Sequence, residues 1–300
     1  AVFVPCMLAL TAVETWHAIQ DREGVWRPDY SASSQPERPR LSLTQEVFEA
    51  QQATWQRAVA GLAPRPEGAA PQVFGLVFAP YASEDVFLRE STMVAEVLGS
   101  RFDAAGRTVH LVNHVKTTQT HPWATPLNLQ RAIEAIAARM DRDEDILVLY
   151  LTSHGASDFR LASSHWPLEP GEATPAGLRK MLDEAGIRHR VIGISACYSG
   201  GWIEPLANEH SLVMTAADAT HTSYGCGRLS ELTFFGRAMF DEQLRKTTSF
   251  EEAFAAAVPI IKKREEEAGK NDGFSNPQIR VGEGIRPVLE ALRARLAAGR

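Results

Sequence analysis

Two kinds of hydrophobic spacing alternate along the chain. Short unbroken apolar runs closed by polar or glycine-rich turns occur at 73–79, 108–113, 146–153, 191–196 and 211–217. Runs of this length, rich in β-branched residues, read as strands buried on both faces, the pattern of a mainly parallel sheet. Residues 278–281 read as a last strand. Between the runs the spacing changes to that of amphipathic helices. One starts near Asp85 and buries Met93, Val94, Val97 and Leu98; a second, 127–140, has Asn128 as cap and a stripe of Leu129, Ile133, Ile136 and Met140. Thr174-Pro175 supplies a cap and first-turn proline for a third, with Leu178, Met181 and Leu182 inward and Gly186 as its stop. Residues 232–244 form a strongly apolar helix. Ser249 with Glu252 makes a capping box for the next, which Pro259 is expected to kink or divide, and 287–296 closes the chain as an amphipathic helix. Ahead of all these, Ser42 or Thr44 caps a helix carrying Leu43, Val47, Trp55, Val59 and Leu62.

Strand, helix, strand with right-handed crossovers makes the strands parallel, so the 146–153 and 191–196 runs end on the same sheet edge. There they carry His154-Gly155 and Cys197-Tyr198-Ser199-Gly200-Gly201. Open α/β sheets bind ligands at that edge. A free thiol, with a pKa of about 8.5, is a poor nucleophile at neutral pH until a neighbouring imidazole holds it as thiolate. His154 is therefore a candidate base and acid, Cys197 a candidate nucleophile, and Gly155 lets backbone approach a substrate closely. The amides of Gly155 and Cys197 are candidates for an oxyanion hole. Each residue alone would more often be a small core cysteine or a turn; it is the pairing at two strand ends that favours chemistry. Asp158 is near His154 in sequence, but a loop aspartate is more often turn-forming, so only a dyad is read.

Composition narrows the field. With 300 residues, 44% of them apolar, the chain has ample material for a core. A net charge of −6 with dispersed Lys and Arg does not support the usual basic nucleic-acid face. Cys6, Cys197 and Cys226 have no CxxC spacing, which argues against a zinc ribbon or disulfide framework, and His110 and His114 read as strand and turn residues; no metal or cofactor is implied. No GxGxxG follows the first strand, so a dinucleotide fold is not supported. Residues 1–13 are apolar apart from Thr11 but shorter than the roughly 20 needed to span a bilayer. They read as the end of a membrane anchor, with Trp16 and Trp26 at the headgroups; an incomplete secretory signal or an ordinary buried helix are the alternatives. The proline-rich stretch 28–39 reads as a linker. The expected organisation is anchor end and linker over 1–40, a helical segment over 41–72 and an α/β domain over 73–300.

The run Leu-Tyr-Leu-Thr-Ser-His154-Gly155, followed by Ile-Ser-Ala-Cys197-Tyr-Ser-Gly-Gly, resembles the two catalytic strand ends of the legumain-like cysteine peptidases, peptidase family C13. The likeness extends from about 73 to 281 and is nearest to bacterial members on membrane-anchored chains. It implies a caspase-like three-layer α/β sandwich with a mainly parallel central sheet, a His154/Cys197 dyad, and cleavage of peptide or protein substrates after Asn or, less readily, Asp. It also implies attachment to the cell membrane with the peptidase domain outside the cytosol. By the same likeness Ser195, Ser223 and Glu231 match positions lining the specificity pocket. Two departures weaken that match: the family's usual Glu two before the nucleophile is Ser195 here, and no residue from Asp85 to Arg89 clearly matches the pocket arginine. Glu231 reads equally well as a solvated residue near a helix start. Transpeptidation through the same dyad, or a catalytically idle interaction module, remain the other readings of the motif.

Overall fold

The computed structural model describes residues 40–68, 70–227 and 229–299. The expected membrane anchor, its tryptophans, the linker and Cys6 lie outside these residues. Six strands form one sheet: β1 Val73–Ala79, β2 Thr108–Val112, β3 Ile146–Thr152, β4 His189–Ser195, β5 Ser211–Thr215 and β6 Gln278–Val281. Their order is β2-β1-β3-β4-β5-β6, with the first five parallel and β6 antiparallel at the edge. The apolar runs explain the layers. In β1, Val73 and Val77 point to one face while Phe74, Leu76 and Phe78 point to the other; in β3, Ile146, Val148 and Tyr150 oppose Leu147, Leu149 and Leu151. Both faces therefore need cover.

On one face lie the helices Asp85–Arg101, Phe250–Glu267 and Arg286–Ala298, with the turns 234–243. Pro126–Ala137 and Pro175–Glu184 cover the other. This is the expected three-layer sandwich. Each large apolar side chain so buried contributes about 1.5–3 kcal/mol. The segment before β1 belongs to the same compact unit, Arg40–Arg300. Its helix Gln45–Ala60 docks through polar atoms: Gln51 donates to the carbonyls of Thr118 and His121 and accepts from Trp123 N–H.

Local chemistry set most boundaries, with informative exceptions. Thr125, not Asn128, caps the Pro126–Ala137 helix, its hydroxyl accepting from Asn128 N–H at 3.1 Å, because Pro126 fits the first turn. Pro259 does not divide the Phe250–Glu267 helix. Ala253, Phe254, Ala257 and Ile261 are buried on both sides of it, and that packing outweighs the single backbone bond a proline removes. The apolar helix begins at Phe234 and continues as a wider π-helical stretch, Arg237–Gln243, that buries the consecutive residues Ala238, Met239 and Phe240. No helix among the described residues is long and apolar enough to cross a membrane.

Candidate active site

Thr152 and Ser195 are register partners at the ends of β3 and β4, so the chain leaves both strands at the same level and, two residues on, presents His154 and Cys197 side by side. Ser153 N–H donates to Ser195 C=O at 3.2 Å and extends the pairing. A Cβ on Gly155 would overlap the carbonyl oxygen of Cys197, so glycine is what allows the two strand ends to touch. Among the described residues, neither the Gly155 nor the Cys197 amide donates to another backbone carbonyl.

The imidazole of His154 is held on three sides. Tyr81 and Phe87 meet it edge-to-face, with centroids at 4.7 and 5.0 Å, and Glu84 Oε2 lies 3.1 Å from Nε2. A carboxylate can only accept, so Nε2 carries the hydrogen and Nδ1 keeps the basic lone pair. Sequence reading missed Glu84, 70 positions from His154, because a glutamate just ahead of a helix looks like any solvated one. Asp158 instead pairs with Arg160.

Cys197 Sγ lies 3.7 Å from both the carbonyl oxygen and the hydroxyl of Ser223. Its pKa is drawn down to about 6, first by the neighbouring Cys226 thiol, then by the hydroxyl and backbone of Ser223 and the charge of His154; burial opposes them. The same contact, with burial and the charge of Glu84, pushes Cys226 up. Cys226, expected as a plain small buried residue, is half-buried beside the nucleophile candidate, and both thiols are free.

The pocket residues are treated unequally. Ser223 stands at the thiol. Ser195 is buried, with its hydroxyl 3.1 Å from that of Thr233. Glu231 turns its carboxylate outward to Arg237, 2.6 Å away. Arg89 holds the same segment, donating to the carbonyls of Ser230 and Glu231 at 2.6 and 2.9 Å. Beneath lies a group that the sequence did not reveal, the fully buried Glu90. Tyr150 OH and Thr152 Oγ1 each donate to its Oε1 at 2.7 Å, and Thr233 N–H donates to Oε2 at 2.8 Å. This carboxylate ties the Asp85–Arg101 helix to β3 and to the segment before Phe234.

No curated protein sequence matches the chain. Among solved structures it is similar to caspase-1 from Spodoptera frugiperda, with 12% identity over 73% of this chain and 94% of that one and a TM-score of 0.51. Pro-sf-caspase-1 follows at 11% identity, 71% and 92% coverage and a TM-score of 0.49. At such identity the former bears on the fold alone, which is caspase-like. The family model described as "Peptidase C13 family" matches residues 129–281, just over half the chain and inclusive of both strand ends. By that match, the chain belongs to the peptidase C13 family.

Proposed function

We propose that the protein is a cysteine peptidase in which Cys197 is the nucleophile and His154 the general acid and base, positioned by Glu84. The observation that carries this reading is the placement of a free thiol with a lowered pKa and a carboxylate-held imidazole on adjoining ends of β3 and β4. The Cys197 thiolate adds to a substrate carbonyl. The resulting oxyanion is met by the uncommitted amides of Gly155 and Cys197. The imidazolium, deprotonating at Nδ1, gives its proton to the departing amine and leaves a thioester. Nδ1 then takes a proton from water, whose oxygen attacks the thioester and releases the acid and the thiolate. Glu84 holds the ring in one tautomer throughout. The T-shaped enclosure by Tyr81 and Phe87 fixes the ring plane.

For the residue before the scissile bond we propose Asn over Asp. The Ser223 hydroxyl and carbonyl beside the sulfur can accept from and donate to a side-chain amide. A substrate carboxylate there would add negative charge beside the Cys197 thiolate, and among the described residues no arginine or lysine bonds to Ser223 to offset it, so Asp is expected to serve only at acidic pH. A peptide-library digest tests both levels. Cys197→Ala should abolish cleavage, and Glu84→Ala should lower kcat by about 10- to 100-fold with KM little changed. Cleavage that persists in Cys197→Ala removes the mechanism, whereas a preference for Leu or Arg at that position removes only the pocket assignment.

A further inference from the structure

The segment between β3 and the Pro175–Glu184 helix carries a feature that the proposed chemistry does not use. Residues 163–166 and 168–172 line an open cleft of about 280 Å³, just under the range of about 300–1,000 Å³ usual for small-molecule sites and suited to a single side chain. The cleft adjoins the candidate dyad. Ser164 N–H donates to Pro80 C=O and Ala82 N–H donates to Ser164 C=O, and the intervening Tyr81 lies edge-on to His154. It sits on a definite side. Tyr150, on the Glu90 side of β3, packs in the core of one sheet face, while Leu161 and Ala173, which flank the cleft, pack in the core of the other. Ser195 and Thr233 share the Glu90 side. A substrate lying across the sheet edge, with the residue before its scissile bond by Ser223, therefore carries the residues after that bond toward the cleft.

The lining defines what fits. Trp166 is 69% exposed, a large indole face left open to solvent at the cleft. Glu169 is exposed and has no ion pair among the described residues, while the nearby Arg160 is committed to Asp158 and Glu172. His165 forms a buried wall against Trp123, and burial together with His114 lowers its pKa to about 4, so it adds no positive charge near neutrality. We propose that this cleft is a subsite for an arginine or lysine following the scissile bond, the cation lying on the Trp166 indole with Glu169 as its counter-charge. The proposal rests on the peptidase reading and deepens it.

Labelled peptides with Asn before the target bond, identical but for Arg, Ala or Glu at each of the three positions after it, test the subsite by fluorescence anisotropy on the Cys197→Ala protein. At one position Arg should bind about three- to ten-fold more tightly than Ala, with Glu weaker than both. Trp166→Ala in that background should erase the contrast and Glu169→Lys should invert it. Equal binding of the Arg and Ala peptides, or a contrast that survives both substitutions, overturns the subsite. Cleavage by the protein with Cys197 intact separates the two claims. Arg-dependent binding with no peptide cut leaves a cation-binding cleft but removes the peptidase reading; cleavage with no Arg dependence keeps the peptidase and removes the subsite.

Discussion

At Cys197 a second thiol joins the histidine that the sequence alone pointed to. Cys226 is the foremost influence lowering the Cys197 pKa, ahead of Ser223 and His154. The thiolate should therefore persist above about pH 6 and be lost as pH falls through that value. Iodoacetamide labelling followed by mass spectrometry should show the Cys197 rate rising with a midpoint near pH 6, with Cys226 labelled far more slowly. Cys226→Ala should move that midpoint up toward the ordinary thiol value of about 8.5. A wild-type midpoint already near 8.5, or faster labelling of Cys226, would contradict the assignment. His154, Cys197 and the close-packed Gly155 were legible because each ends a recognisable strand. Glu84, Cys226 and Glu90 were not, since their roles depend on what folding brings beside them.

Between elements, the Glu90 carboxylate acts as a cross-brace. It links a helix, two β3 hydroxyls and the backbone ahead of Phe234, and a Cβ on Gly236 would overlap it. Glu90→Ala leaves three buried donors without their acceptor, each costing about 1–3 kcal/mol. Urea denaturation should show a loss of about 3–5 kcal/mol, with Glu90→Gln losing less because the amide oxygen still accepts. A loss below about 1 kcal/mol would mean that water replaces the brace. In the sequence Glu90 is one of several polar residues on an amphipathic helix; its neighbours Phe87, Ser91 and Val94 are also buried, a wider inward face than the apolar stripe alone defined. Caps were more legible. Thr174 and Ser249 accept from Gly177 and Glu252 N–H as their spacing predicts, but the reciprocal half of the Ser249/Glu252 capping box does not form: Ser249 N–H donates to Thr247 Oγ1, and the Glu252 carboxylate accepts from Thr247 and Arg293.

For the molecule as a whole, a half-buried imidazole sets a direction for acid stability. His110, on β2 with its ring against His121, has a pKa lowered to about 3 by burial and then by the charge of His121. The unfolded chain binds a proton at this position below about 6.5, whereas the folded one does so only near 3. Stability present at neutral pH is therefore lost as pH falls from about 6.5 toward 3. Thermal melts at pH 7.5 and 4.5 should show a smaller acid-induced drop in Tm for His110→Leu than for wild type. An equal drop would show that the ring is protonated in the native state.

The sequence by itself determined the strands, most helix starts, a mainly parallel sheet buried on both faces and the shared edge of His154 and Cys197. All of these follow from short-range information: hydrophobic period, turn and cap chemistry, and the handedness of parallel crossovers. Only the tertiary structure decided that β6 closes the edge antiparallel, that Glu84 rather than Asp158 holds the imidazole, that Cys226 faces Cys197, and that Ser195 and Glu231 spend their polar atoms on Thr233 and Arg237. For the last three, which concern side chains, the physical reason is common. A polar side chain takes whichever partner folding brings within about 3 Å, and across long sequence separations neither spacing nor propensity encodes that choice.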